Sequence, residues 1–187
     1  MDEQSPPPSS MLLPAAAFEG ALALVAVALG WILGIRPDAT LAWSLADLGI
    51  GLAACLPLLL GVVIAVRFPE GPLGRMFRLL DEYVVPIFRS SSVVDLLIIA
   101  LLAGISEELL FRGVVQAWVA AKVPAPFGGW TGLAASAVLF GLAHCITPTY
   151  GIVAGLIGLY LGAIWVFTGN LLTPVAAHAA YDFLVLV

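Results

Sequence analysis

A chain of 187 residues that is 62% hydrophobic and 10% charged, with a mean hydropathy of +1.11, lacks the polar surface of a soluble domain and reads as an integral membrane protein. Its length allows about six spans of roughly 20 residues with short loops, hence one membrane domain and no sizeable soluble one. The formal net charge of −5 comes without a basic patch, which excludes nucleic acid as a partner and leaves membrane lipid as the expected surroundings.

The expected fold is all-α: a polytopic membrane helix bundle of about six transmembrane helices with an interfacial amphipathic segment. Residues 1–14, acidic and rich in Ser and Pro, lack the basic front of a signal peptide and are expected to form a disordered tail. Residues 15–187 then make a single transmembrane domain. Its first span covers residues 15–35, where Gly30 and Gly34 stand four apart on a face suited to helix packing. Glu19, near the start of that span, is expected at the membrane interface. Arg36-Pro37-Asp38 closes the span as a turn. A second span, residues 41–66, carries Asp47 one or two turns inside, also expected at the interface, and Pro57 nearer its middle, where a kink is expected.

Residues 67–92 change character. Arg67, Arg75, Arg78 and Arg89 stand among Glu70, Asp81 and Glu82, with Met76, Phe77, Leu79, Leu80 and Tyr83 interleaved as in a helix lying on a membrane surface. The arginines here, against Arg36 and Lys122 in loops on the other side, place this loop and both termini in the cytoplasm by the positive-inside rule. Ser92 and Asp95 have the spacing of a capping box, so a long third span starts there and runs to about residue 121.

Within that span lies Ser-Glu-Glu-Leu-Leu-Phe-Arg, residues 106–112, which puts three charges into a hydrophobic segment. A charge at mid-membrane costs a few kcal/mol or more, so it is usually paired, turned from lipid and functional. Glu108 and Arg112 stand at i and i+4 and neutralise each other, and Gln116 extends the same stripe toward the bundle interior. Glu107 lies about 100° round the helix, which leaves it as the acid free for chemistry.

After the Pro and Gly cluster of residues 124–129, a fourth helix from about residue 130 carries Phe140 and His144 on one face. Thr147-Pro148 breaks the chain. A fifth helix, residues 150–167, has glycines at 151, 155, 158 and 162 and is expected to pack tightly. Thr173-Pro174 reads as N-cap and first residue of a short last helix, which carries His178 and Asp182 at i and i+4. Cys55 and Cys145 show no ligand spacing and are read as small packing residues. At ~1.5 Å per residue, His178 falls roughly 12 Å deep, Glu107 and Asp182 roughly 18 Å and His144 roughly 21 Å from the non-cytoplasmic helix ends. All four therefore reach a common depth, which is better explained by one site than by independent accidents.

Three motifs now stand in order: Glu-Glu-x-x-x-Arg at residues 107–112, Phe-x-x-x-His at 140–144 and His-x-x-x-Asp at 178–182. Together they resemble the CPBP family, the CAAX protease and bacteriocin-processing enzymes also called Abi, over residues 92–187. The resemblance implies an intramembrane endopeptidase acting on a peptide or membrane-protein substrate, prenylated in some members, in a multi-pass bacterial plasma-membrane protein. It implies Glu107 and His144 as the pair that activates a water, with His178 and Asp182 on the other side of the reaction. Glu108, Arg112 and Phe140 would support them. The family has been described both as metalloproteases and as glutamate proteases, so the cofactor is either none or a single divalent metal. Zn²⁺ would take Glu107, His144 and His178 as ligands. The metal-free form is favoured, because Glu107 as a ligand is lost as the base while Glu108 is committed to Arg112.

Asp182 stands where the family pattern more often has asparagine. An ionised carboxylate donates no hydrogen bond, so Asp182 is either protonated, the expectation preferred here, or it orients a His178 imidazolium that donates instead. Other classes of protein use such a cluster too, namely a non-catalytic immunity or scaffold protein and a proton or ion carrier. The unpartnered Glu107 favours the enzyme.

Overall fold

Lipid offers backbone N–H and C=O groups no partner, so an apolar chain satisfies them within helices. The computed structural model describes residues 11–187, and every regular element in it is helical, with no strand among the described residues. The predicted tail lies outside the described residues as far as residue 10. Helix α1 spans Leu12–Leu33, α2 Leu45–Arg67, α3 Pro72–Tyr83 and α4 Val85–Phe88. Helix α5, Val93–Glu108, continues without a break through a π-helical stretch, Leu109–Gln116, into α6, Ala117–Lys122. The last three are α7, Gly128–Ala143, α8, Pro148–Thr168, and α9, Leu172–Leu186.

Among the described residues, α1, α2 and α8 are long and apolar enough to cross a membrane, and α7 and α9 are apolar but shorter. Burial is inverted relative to a soluble protein. Leu24, Leu56, Ile152 and Leu156 are exposed, whereas Glu108, Arg112, Gln116, Ser136 and Thr173 are buried. The protein is an integral membrane protein, its polar groups facing inward and its apolar groups facing lipid.

Local signals set most boundaries. Ser92 and Asp95 form the full capping box at the start of α5, and the Thr147 side chain caps α8 with Pro148 in its first turn. The predicted surface segment is α3, which starts on Pro72 and buries Met76. Gly30 and Gly34 do not form a packing face. Gly34 ends α1 with a φ of 70°, and a Cβ on Gly30 would lie 2.7 Å from the Ile35 carbonyl oxygen of the following turn. The pair terminates a helix because left-handed backbone at its end favours glycine.

The start of α9 also differs from expectation. Thr173 is a buried residue within the helix, which begins at Leu172, and the capping is done by Asn170, whose Oδ1 accepts from Leu172 N at 3.0 Å. Asn170 Nδ2 donates to the Ala42 carbonyl and to Asp47 Oδ2, at 2.8 and 2.9 Å. Asp47 thus anchors the α8–α9 turn onto the front of α2.

Helix α9 packs against α2, α5 and α8 and is buried at every residue from Thr173 to Ala179. Small residues permit this. Gly51 of α2 abuts the Thr173 carbonyl, and a Cβ on Gly104 of α5 would lie 2.9 Å from Ala179 Cβ. The glycines of α8 face α7, as expected, with Gly155 near Gly141 and Gly158 against the Phe140 ring. Gly104→Val should destabilise the protein by about 1–3 kcal/mol through overpacking between α5 and α9. Thermal unfolding in detergent measures this, and an unchanged midpoint would show that the two helices can part without cost.

Candidate active site

The end of α5 delivers two adjacent acids to two different environments. Glu108 is 0% exposed, and its Oε1 accepts from Arg112 Nη1 at 2.8 Å. The same oxygen accepts from His178 Nδ1, also at 2.8 Å. Arg112 Nη2 donates to the Gly158 carbonyl at 2.7 Å, so one ion pair joins α5, α8 and α9. Arg112 lies in the π-helical stretch, where hydrogen bonds run i→i+5 and the turn is widened. Gly113 in that stretch lets the Pro37 backbone approach, since a Cβ there would collide with the Pro37 carbonyl oxygen. Gln116, the next member of the stripe, donates to the Gly162 carbonyl at 3.2 Å.

Glu107 points elsewhere. Its Oε2 lies 3.5 Å from His144 Nε2 and 4.0 Å from His178 Nε2. That oxygen is buried and makes no hydrogen bond within the protein. Asp182 completes the group, with Oδ2 3.4 Å from His178 Nε2 and its side chain 29% exposed. The structure thus brings together Glu107, His144, His178 and Asp182, with Glu108 and Arg112 behind them.

His144 arrives in a way its spacing did not indicate. It is the residue that ends α7, with φ −97° and ψ 11°, and its Nδ1 lies 2.9 Å from the Phe140 carbonyl oxygen. A carbonyl only accepts, so Nδ1 carries hydrogen and Nε2 is the nitrogen turned to Glu107. Phe140 contacts both histidines. It stacks on His144 with ring centroids 4.3 Å apart and meets His178 edge-on at 5.9 Å. The Arg112 guanidinium carbon lies 4.9 Å from the Phe140 ring centroid, and Phe111 packs at 4.9 Å.

Two further groups were not singled out in sequence. Tyr150, at the start of α8, has its ring centroid 6.4 Å from that of His144. Glu19, expected at the membrane interface, is 8% exposed within the bundle and accepts a hydrogen bond from Ser106 Oγ, next to Glu107. A lone acid in an apolar helix carried that signal, but its distance in sequence from the three motifs concealed its partner.

A family model described as type II CAAX prenyl endopeptidase Rce1-like matches residues 89–184, more than half of the chain. The chain belongs to this family. No curated protein and no solved structure matches it. The matched segment runs from just before α5 to near the end of α9 and contains every member of the cluster except Glu19, in agreement with the CPBP resemblance of the three motifs. The Rce1-like family is one of proteases, which makes the protein an enzyme of the CAAX endopeptidase class. As to a metal, no group of three or more His, Cys, Asp or Glu among the described residues is arranged to hold one.

Glu108→Ala should cost about 3–5 kcal/mol of stability, because it strands the buried Arg112 guanidinium and removes the acceptor of His178. The drop is read as a lowered unfolding midpoint in detergent; a midpoint equal to wild type would contradict the pairing.

Proposed function

We propose that this cluster hydrolyses a peptide bond in a membrane-associated, prenylated CAAX-type substrate, with Glu107 as the general base. The observation that carries this reading is the buried Glu107 Oε2, without a hydrogen bond of its own, facing the Nε2 atoms of His144 and His178 at 3.5 and 4.0 Å. A water held between Glu107 and His144 is within reach of a base and of a second polar group. Glu107 takes its proton as the oxygen adds to the scissile carbonyl carbon. The tetrahedral intermediate then collapses, the C–N bond breaks, and the proton on Glu107 passes to the departing nitrogen. No serine or cysteine nucleophile takes part.

His178 is suited to the oxyanion. Nδ1 faces Glu108 at 2.8 Å and Nε2 faces Asp182 at 3.4 Å, and only the doubly protonated ring offers a donor to each carboxylate. That favours the second of the two roles for Asp182: a partly solvated carboxylate that sustains a His178 imidazolium, whose Nε2–H is shared between Asp182 and the developing oxyanion. The sequence alone favoured a protonated Asp182, because the apolar helix offers it no cationic partner except His178 at i, i+4. The catalytic assignment is Glu107, His144, His178 and Asp182, without a metal; Glu108, Arg112 and Phe140 hold them in place.

Cleavage of a farnesylated CAAX peptide in detergent tests the reading. Glu107→Gln, His144→Ala and His178→Ala should each lower kcat by roughly 10²-fold or more while the protein remains folded. Exhaustive chelation should leave wild-type turnover intact, whereas a loss restored by Zn²⁺ would make Glu107 a ligand. For Asp182→Asn a fall of roughly 10²-fold is expected at every pH, as when an orienting carboxylate is neutralised beside a catalytic imidazole. Full activity extending to higher pH would instead identify Asp182 as a protonated donor.

A further inference from the structure

Helix α1 lies outside the segment matched by the family, yet it brings a carboxylate to the cluster. Glu19 is buried, and an acid in an apolar helix is costly to retain without a use. Its hydrogen-bond donor is the hydroxyl of Ser106, the residue before Glu107 and the last full turn of α5 before the helix widens. Glu19 also lies within electrostatic range of Glu107, His178 and Asp182. Ser106 Oγ is 3.3 Å from the Ala103 carbonyl oxygen of its own helix, so the hydroxyl has a second acceptor one turn back. A serine bonded only to its own helix adds nothing to the direction in which the next side chain points. A serine tied to α1 resists rotation of the turn that carries Glu107.

We propose that Glu19 is a positioning residue for the hydrolysis: through Ser106 it holds the last turn of α5 so that Glu107 faces His144 and His178. The proposal rests on Glu107 being the base. It assigns α1 a part in catalysis through the geometry of its neighbour, with no contact between Glu19 and substrate. The bond needs a polar group at residue 19 and does not depend on a full charge. A glutamine amide can donate to Ser106 Oγ while the serine hydroxyl turns to the Ala103 carbonyl.

The test uses the full chain in detergent with the farnesylated CAAX peptide, and each variant is also melted to fix its folded fraction. Glu19→Ala and Ser106→Ala should each lower kcat per folded molecule roughly 10- to 100-fold, as expected for a displaced base, with KM within about twofold of wild type. The double variant should be no slower than the worse single, because both remove one bond. Glu19→Gln should keep kcat within about threefold of wild type, since the hydrogen bond survives. Wild-type kcat in Glu19→Ala, single losses that multiply in the double variant, or a loss explained wholly by fewer folded molecules would each overturn the proposal. Glu107→Gln serves as the control. If it is inactive while Glu19→Ala is unimpaired, only the positioning role fails; if Glu107→Gln itself turns over normally, the assignment of the base fails.

Discussion

A carboxylate that receives no water must receive donors from the protein, and at Glu108 that requirement organises the bundle. Its Oε1 takes both the Arg112 guanidinium and the His178 imidazole at 2.8 Å. Arg112 in turn reaches the Gly158 carbonyl. Three stretches of chain, α5 with its π-helical extension, α8 and α9, are thus tied together through one ion pair. Separating any of them would expose a buried charge to hydrocarbon, a larger loss than that of an ordinary packing contact.

Close packing makes this convergence possible. Arg112 reaches the Gly158 carbonyl of α8, where the absence of a side chain leaves room for the Phe140 ring of α7. Gly104 and Ala179 do the same between α5 and α9. Phe140 then contacts both histidine rings and the guanidinium. In a bundle whose outer surface is as apolar as the lipid around it, such small-residue contacts and interhelical hydrogen bonds replace the hydrophobic drive of a soluble core.

Two neighbouring glutamates therefore come to differ by environment alone. Glu108 is wholly buried and holds the Arg112 guanidinium and the His178 imidazole on its Oε1, and serves the architecture. Glu107 is 12% exposed, lacks a hydrogen bond at Oε2 and looks across a gap toward two imidazoles. The membership in the Rce1-like CAAX endopeptidases gives this division a chemical use. The α1 helix, outside the matched segment, adds a buried carboxylate, Glu19, bonded to Ser106, the residue before the proposed base.

The sequence by itself determined the helical membrane class, the capping box at Ser92, the close packing of α8 and the Glu108–Arg112 pair. Each follows from composition or from spacing within a single helix, where the repeat places i and i+4 together. It also singled out Glu107, His144, His178 and Asp182, because polar groups in apolar helices are too costly to be incidental. Only the tertiary structure decided which groups share a partner. That His178 joins the Glu108–Arg112 pair, that Glu19 bonds Ser106, and that Asn170 rather than Thr173 caps α9 while holding Ala42 and Asp47 depend on contacts between distant segments. So does the seat of His144 at the end of α7, since helical periodicity gives a direction on a helix but not where that helix stops. The widened turn after Glu108 was equally invisible, since no local residue pattern announces it.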